Sequence, residues 1–265
     1  MADHCFVDIH CHLLPGIDDG ARDWDESLAM AELAVADGVQ TILCTPHQLG
    51  SYRQNTAADV RQRVRQLDAL LRERQIPLNV LPGADVRIEP DLVAELQADR
   101  VLTLGDQGRH VLLELPHDLY LPLDPLVEAL RGVGLQSILS HPERNQGILR
   151  QPSLLTQLVS AGCLMQVTAG SLLGTFGPSV QQFSQKILQE GLCHFLATDA
   201  HGATARRPRL QAAFRRATQL VGTEYARRIC CENPGRVASG KSVAAGVQQG
   251  ARPGLRGWWG LRRAG

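Results

Sequence analysis

Histidines and carboxylates that are able to bind divalent metal ions recur along this 265-residue chain, most of them directly after a short apolar run. The residues concerned are His10, His12, His47, Asp85, Glu114, His141, Asp199 and His201. Parallel β-α folds assemble their sites at the carboxyl ends of the strands, so we expect these side chains to converge. Imidazole nitrogen combined with carboxylate oxygen suits Mn, Fe, Zn or Co. The sequence therefore predicts a metal centre.

Two pairs among these residues are separated by a single residue. His10 and His12 lie in DIHCH, and Asp199 and His201 repeat the spacing in ATDAHG. Side chains alternate along an extended strand, so the two members of each pair face the same side. Cys11 then faces the other way, and we expect it to pack in the core. If the first and last strands are neighbours, both pairs meet where the sheet closes.

Apolar runs alternate along the chain with amphipathic stretches, which is typical of repeated β-α units. Strands are predicted at residues 5–9, 39–45, 78–81, 111–115, 136–139, 164–168 and 194–198. Helices are predicted over residues 23–38, from about residue 56, and over residues 125–131 and 180–190. Asp23 and Glu26 have the spacing of reciprocal capping partners. Seven α/β units favour a closed (β/α)7 barrel over an open doubly wound sheet.

The domain organisation follows from a change of composition near the end of the chain. No linker divides residues 1–237, which we predict to form one domain. Residues 238–265 are basic and glycine-rich, contain no acidic residue, and include Trp258 and Trp259. We predict a poorly ordered tail, and a contact with an acidic partner or a membrane surface is the alternative.

The whole-chain composition narrows the class of function. Lys+Arg and Asp+Glu number 27 each, so no global field recruits nucleic acid or a membrane. No run approaches the roughly 18 apolar residues of a membrane span, and no signal peptide is recognisable. The seven cysteines lack paired spacing and indicate free thiols. We expect a cytoplasmic protein with no nucleic-acid partner and no membrane span.

The sequence gives little support to an enzyme with a serine or cysteine nucleophile, or to a nucleotide kinase. The chain contains no Gly-x-Ser-x-Gly elbow and no P-loop. Cys230 and Arg236 have the spacing of cysteine-dependent phosphatases, but Glu232 and Pro234 stand where backbone amides must bind phosphate. A carboxylate repels the phosphate and proline removes a donor, so the match is rejected.

Five strings carry a resemblance to a known family: FVDIHCHLLPGIDDGARDWDESLAMAELAVADGVQTILCTPH, PGAD, LLEL, SHPERN and ATDAHG. In this order they resemble the PHP superfamily, named for polymerase and histidinol phosphatase. More narrowly, they are similar to the manganese-dependent tyrosine-protein phosphatases of bacterial capsule and exopolysaccharide systems. The similarity covers residues 7–233. It implies a distorted (β/α)7 barrel that holds up to three metal ions, with Mn²⁺ expected.

The resemblance also implies roles for individual residues. His10, His12, Asp85 and Asp199 would hold the first metal; Asp85, Glu114 and His141 the second; and Asp19, His47 and His201 the third. Arg144 and Arg206 match the phosphate-contacting arginines, although Arg207 adjoins the latter. Asp85 departs from the pattern, because the family commonly has Glu at this bridging position. For Asp18 we predict only a turn role, and for His4, His110, His117 and His194 surface or packing roles.

The function implied is hydrolysis of phosphotyrosine on proteins by a metal-bound hydroxide, without a covalent intermediate. His201 or a metal-bound water would protonate the leaving group. The expected substrate is a membrane-bound autophosphorylating tyrosine kinase that controls polysaccharide export. Alternatives are a phosphoesterase acting on a small molecule such as histidinol phosphate, and a non-catalytic metal-binding scaffold. The oligomeric state stays open, a homo-oligomer included.

Overall fold

The computed structural model describes residues 6–248, and their strands are short and parallel. The strands are β1 (Phe6–Cys11), β2 (Val39–Cys44), β3 (His47–Gln48), β4 (Asn79–Pro82), β5 (Asp85–Arg87), β6 (His110–Glu114), β7 (Gln136–Ser140), β8 (Leu164–Thr168) and β9 (Phe195–Ala197). Each predicted strand that lies within the described residues is present, with bounds that differ by at most two residues from the predicted ones. Strands β3 and β5 were not predicted.

These strands form two parallel sheets. One has the order β1-β2-β4, and the other has the order β3-β5-β6-β7-β8-β9. The chain passes from β2 to β3 through Thr45 and Pro46, and from β4 to β5 through Gly83 and Ala84. A parallel bridge between Cys11 and Ala200 joins the end of β1 to the residues after β9. The class is therefore mixed α/β with parallel sheets, as predicted.

The helices cover the outside of the sheets. Their bounds are α1 (Trp24–Ala36), α2 (Ala57–Glu73), α3 (Leu92–Gln97), α4 (Asp124–Gly132), α5 (Gln146–Arg150), α6 (Ser153–Ser160), α7 (Ala169–Leu173), α8 (Pro178–Gln189), α9 (Gln211–Val221), α10 (Thr223–Arg227) and α11 (Asn233–Ala238). Short 3-10 turns occupy Leu104–Asp106 and Pro142–Arg144, and a π turn occupies Arg228–Glu232.

The starts of the first two helices are fixed by side-chain caps. The Asp23 carboxylate accepts a hydrogen bond from the Glu26 backbone N–H at 2.8 Å, and Thr56 caps α2 in the same way. The reciprocal half of the predicted capping box is wrong. Glu26 Oε2 instead accepts from the backbone N–H and the guanidinium of Arg22. One carboxylate therefore ties the chain before α1 to the helix.

Two layers of apolar side chains hold the strands in place. An inner cluster takes one or two buried residues from each of six strands and is closed by residues outside the sheets. Its buried members are Ile9, Leu43, Leu104, Leu112, Ile138, Leu164, Phe195, Ala197, Val237 and Val243. A larger cluster lies between strands and helices and contains Cys11, which faces away from the metal-binding side chains as predicted. The strand ends are thus fixed from both sides.

The segment after α11 lies against the strands. Val243 is only 4% exposed, its carbonyl accepts a hydrogen bond from Gln136 Nε2, and the Gly246 carbonyl lies 3.1 Å from His194 Nε2. The sequence assigned residues 238–248 to a poorly ordered tail, whereas these contacts anchor that part of it to the domain. The predicted Trp258 and Trp259 feature lies outside the described residues. Within residues 6–248, no helix has the length and apolar character that crossing a membrane requires.

Candidate metal centre

The ends of β1 and β9 and the start of β5 bring four of the predicted ligands together. His10 Nε2 lies 3.2 Å from His12 Nε2, 3.5 Å from Asp85 Oδ2 and 3.4 Å from Asp199 Oδ1. His12 Nε2 lies 3.7 Å from the same Asp199 oxygen. A register shift between Asp8 and Cys11 adds one residue to β1, and both histidines are fully buried. Their ring nitrogens therefore face two carboxylates.

The remaining predicted ligands extend this cluster toward the surface. His47 Nδ1 lies 3.5 Å from Asp85 Oδ2 and 3.7 Å from Glu114 Oε2, and its Nε2 lies 3.5 Å from Asp19 Oδ1. His201 Nε2 lies 3.4 Å from the same Asp19 oxygen. His47 is therefore placed between the inner carboxylate Asp85 and the exposed carboxylate Asp19.

Three sets of ligand atoms lie within 4.8 Å of one another: His12, Asp19, His47 and His201; His10, His12 and Asp85; and His47, Asp85 and Glu114. The grouping overlaps with the one expected from the resemblance but differs in detail. His47 accompanies Asp85 and Glu114, where the expectation placed His141. His141 Nε2 lies 4.0 Å from Glu114 Oε1, at the rim of that set.

The surroundings of the Asp85 carboxylate indicate whether this cluster fits a metal ion. Its side chain is fully buried, and neither carboxylate oxygen has a hydrogen-bond partner. Buried carboxylates without partners are rare in proteins because burial disfavours the charged form. Burial and the nearby Glu114 charge accordingly raise the pKa of Asp85 well above its usual range. A divalent cation supplies the missing counter-charge, so the residues present fit a metal.

Burial and neighbouring polar groups also shift the pKa values of the other titratable groups in the cluster. Burial, together with the neighbouring imidazoles, holds the pKa of His12 well below its usual value, which leaves a neutral ring with a lone pair. Burial alone would lower the pKa of His47, but its hydrogen bond to Asp19 and the Asp85 charge raise it to about 9. Hydrogen bonds from His201 and His47 hold the pKa of Asp19 far below its usual range.

Asp18 and Gln166 orient the inner histidines, and the sequence analysis did not place them at the site. Asp18 Oδ2 lies 2.8 Å from His12 Nδ1, and Gln166 Oε1 lies 2.9 Å from His10 Nδ1. These acceptors place the proton on Nδ1 and leave Nε2 facing the carboxylates. Asp18 also forms the predicted turn, through a 2.9 Å bond from the Gly20 N–H. Gln166 carried a signal, since it is a polar residue in an apolar strand.

Three residues of the site have left-handed backbone conformations that favour glycine. They are His141 (φ 32°), Asp199 (φ 51°) and Arg206 (φ 47°). Such conformations cost about 1–3 kcal/mol and persist where the surrounding structure holds them. The Asp199 N–H is bonded to the His10 carbonyl at 2.8 Å, and the His201 N–H to the Arg206 carbonyl at 3.0 Å. The turns after β7 and β9 are thus bent toward the cluster.

Arg144 and Arg206 converge on one oxygen at the mouth of the cluster. Each guanidinium donates to Asp199 Oδ2 at 2.6 Å, while Asp199 Oδ1 faces the histidines. Arg144 lies 4.4 Å from the centre of the Phe176 ring, a cation-π contact, and Arg206 lies 5.9 Å from it. Burial alone would raise the pKa of Asp199, but His10, His141 and Arg206 outweigh it and hold the pKa far below its usual range.

His117 is exposed, as predicted, and its ring also lies at this mouth. Its Nε2 lies 3.4 Å from Arg144 Nη2, and its ring stacks 5.9 Å from that of His141. His110 and His194 are fully buried packing residues, as predicted. His4 lies outside the described residues. The surface or packing roles predicted for His110, His117 and His194 are therefore confirmed.

The cysteine-phosphatase alternative does not fit the structure. Cys230 is fully buried in the core, and burial raises the pKa of its thiol well above the usual value. A nucleophilic cysteine needs an exposed, low-pKa thiolate. Cys230 therefore has a packing role.

The sequence is similar to a family model and to individual known proteins. The sequence model of the family described as "Capsular polysaccharide synthesis, CpsB/CapC" matches residues 6–239. The chain belongs to the CpsB/CapC family. It is 39% identical over 220 residues to the tyrosine-protein phosphatase YwqE of Bacillus subtilis, covering 82% of this chain and 86% of the relative. It is 23% identical over 237 residues to the tyrosine-protein phosphatase CpsB of Streptococcus pneumoniae, covering 87% and 97%.

A solved structure supports membership of this CpsB/CapC family. It comes from the pair YwqE of Bacillus subtilis and CpsB of Streptococcus pneumoniae, which are described as unique metal-dependent tyrosine phosphatases. The superposition has a TM-score of 0.87 at 35% identity and covers 93% of this chain and 99% of the other. The arrangement of strands around the cluster is therefore that of a family fold.

Proposed function

We propose that this protein is a metal-dependent phosphatase that hydrolyses phosphotyrosine on proteins. The observation that carries the proposal is the convergence of Arg144 and Arg206 beside a buried cluster of histidines and carboxylates. Cationic donors next to metal-binding groups are what a phosphoryl dianion requires. Membership of a family whose relatives are tyrosine-protein phosphatases gives the substrate class.

The proposed metal ligands are those expected from the sequence: His10, His12, Asp19, His47, Asp85, Glu114, His141, Asp199 and His201. When bound, divalent ions supply an activated water near neutral pH and neutralise charge on the phosphoryl oxygens. Manganese is the proposed ion. Asp85 lies between His10 and His47 and is the proposed bridging carboxylate, although it is shorter than the Glu common in the family.

The residues of this chain bind the substrate and direct protons. Arg144 and Arg206 hold the phosphate, because planar guanidinium groups donate to two phosphoryl oxygens at once. The proposed proton donor to the leaving group is His201 or, where His201 binds metal, a metal-bound water; the Nδ1 of His201 lies 3.0 Å from the Asp199 carbonyl. A tyrosine phenolate has a pKa near 10, so it needs less assistance than an alkoxide does. Asp18 and Gln166 keep the inner histidines oriented.

We also propose the closure of the sheets into a barrel, the place where the protein acts, its partner and the extent of its domain. The two sheets are the halves of a distorted (β/α)7 barrel, in which β2 with β3 and β4 with β5 each count as one interrupted strand. The protein acts in the cytoplasm on a membrane-bound tyrosine kinase that controls polysaccharide synthesis. The phosphatase domain predicted over residues 1–237 extends at least to residue 248, because Val243 packs in the inner cluster.

A comparison of substrates under manganese tests the proposal. We expect a phosphotyrosine peptide to be hydrolysed with a higher kcat/KM than histidinol phosphate. A preference for the small alcohol ester would instead support the alternative of a metabolite phosphatase. Loss of peptide hydrolysis in His12→Ala or Asp199→Ala, with the fold retained, is expected of an enzyme. A wild-type protein that binds manganese but hydrolyses neither ester would be a metal-binding scaffold.

A further inference from the structure

A cavity of about 250 Å³ lies beside Arg206, and no histidine lines it. It is lined by the start of α7, by Phe176 and by the loop that contains Arg207 and Arg209. Arg206 and Phe176 also lie beside Arg144 at the mouth of the metal centre. The cavity therefore shares Arg206 and Phe176 with the proposed phosphate site.

The charged residues that line this cavity are all positive. Three arginines line it and no acidic residue does. Within residues 6–248, Arg207 and Arg209 have no carboxylate at salt-bridge distance, and the buried Nε of Arg206 has no hydrogen-bond partner. The cavity that His47 lines differs, because Asp19, Glu89 and Glu114 also line it, together with Arg87. The two cavities thus attract opposite charges.

The loop that carries the arginines is held in shape. The His201 N–H donates to the Arg206 carbonyl at 3.0 Å, and Arg207 Nε donates to the Thr204 carbonyl at 2.9 Å. The Arg209 backbone N–H donates to the Arg207 carbonyl at 2.9 Å, whereas its exposed side chain makes no hydrogen bond or ion pair within residues 6–248. Its guanidinium is therefore available to a ligand without breaking an existing bond.

We propose that this cavity is a specificity subsite that binds the carboxylate of an acidic side chain next to the phosphotyrosine in the substrate chain. This inference rests on the proposed function. Neighbouring residues of an extended peptide are spaced by roughly 3.3 Å, so a flanking side chain reaches a cavity that shares Arg206 with the phosphate. Phe176 and the half-exposed Leu173 offer apolar contact to the methylenes of glutamate, while Arg209 meets its carboxylate.

The test uses two phosphotyrosine peptides that differ only by Glu or Gln at the residues flanking the phosphotyrosine. Wild-type protein with manganese is expected to show a kcat/KM for the Glu peptide roughly threefold to tenfold above that for the Gln peptide at low salt. The preference falls as ionic strength rises, because charge pairs that remain partly exposed are screened. In Arg209→Gln the preference is expected to fall toward one.

Arg65→Gln is the matched control, since Arg65 is exposed on α2, makes no ion pair within the described residues and lines none of the cavities above. It changes the net charge equally and is expected to keep the wild-type preference. Equal hydrolysis of both peptides by wild-type protein, or an equal loss of preference in Arg65→Gln, would overturn the subsite. Failure of wild-type protein to hydrolyse either peptide would instead overturn the proposed function.

Discussion

The carboxylate of Asp18 lies 2.8 Å from Nδ1 of His12, and the same oxygen accepts a hydrogen bond from the His47 backbone N–H at 3.1 Å. One side chain from the loop after β1 therefore orients one proposed ligand and positions the strand of another. Metal-binding histidines commonly donate their second ring N–H to a carboxylate, which fixes the tautomer and the direction of the lone pair. Asp18 is buried in this arrangement, and burial raises its pKa.

Replacing Asp18 by asparagine should weaken metal binding. The amide keeps the size of the side chain but removes the charge that supports the His12 Nδ1–H, so the affinity for manganese should fall roughly 10- to 100-fold. Titration of the chelated protein with manganese measures the change. Asp25→Asn, at an exposed position of α1, should keep the wild-type affinity. An unchanged affinity in Asp18→Asn would limit Asp18 to its turn with Gly20.

Replacing Arg144 by alanine should impair catalysis without loss of metal. The guanidinium contacts Asp199 Oδ2 and faces the mouth of the site, so its removal deprives the phosphate of a charged donor. We expect kcat/KM for a phosphotyrosine peptide to fall about 100-fold. The metal content per chain should equal that of wild-type protein. Arg150→Ala, at an exposed position six residues further along the chain, is the control. Reduced metal content in Arg144→Ala would contradict the phosphate role.

Replacing Asp85 by glutamate should lower activity at limiting manganese. Asp85 Oδ2 is 3.5 Å from both His10 Nε2 and His47 Nδ1, so the shorter carboxylate already reaches both groups. An extra methylene at this fully buried position forces neighbouring side chains to move, which typically costs about 1–3 kcal/mol. Activity measured across a manganese titration tests this. A gain of activity in Asp85→Glu would mean that the site is adapted to the longer residue.

The stability of the fold should fall in mild acid, in part through His194. Its Nδ1 accepts from the Met165 N–H at 3.1 Å, so the ring is neutral and its Nε2–H donates to the Gly246 carbonyl. Burial lowers the pKa of His194 to about 4. The unfolded chain, with a pKa near 6.5, takes up a proton that the fold does not. Stability is therefore complete above pH 6.5 and is lost as the pH falls toward 4.

Urea unfolding between pH 7 and 5, with chelator present throughout, measures this effect. The shift implies at most about 3 kcal/mol over the whole range, only part of it by pH 5. His194→Gln should be less stable than wild-type protein at pH 7 but should lose less stability on acidification. Parallel pH dependences of the two proteins would show that His194 does not carry the effect.

The parts of the fold that could be predicted from the sequence are those that local pattern determines. Strand β8 has its predicted bounds because a five-residue run with three apolar members, Leu164, Met165 and Val167, is flanked by helical stretches. Strands β3 and β5 have two and three residues and follow Pro46 and Gly83, so they are too short for a periodic signal. Their pairing depends on strands distant in sequence.

The site also has residues that the local sequence predicts and residues whose roles depend on contacts made only in the fold. The ligand types were visible because they follow strands, whereas the role of Asp18 depends on a contact with His12 that exists only after folding. The anchoring of residues 238–248 is also non-local. Val243 joins the inner cluster with Ile9 and Phe195, although the composition around it resembles that of a tail. Contacts of this kind leave no periodic trace in the sequence.

Removal and return of the metal tests the central claim most directly. The measurement combines metal analysis of the protein with phosphate release from a phosphotyrosine peptide, before and after chelation and after addition of manganese. The account predicts that the chelated protein is inactive, and that activity returns as the chain takes up about two to three ions. A metal-free protein that hydrolyses the peptide at the full rate would contradict the account.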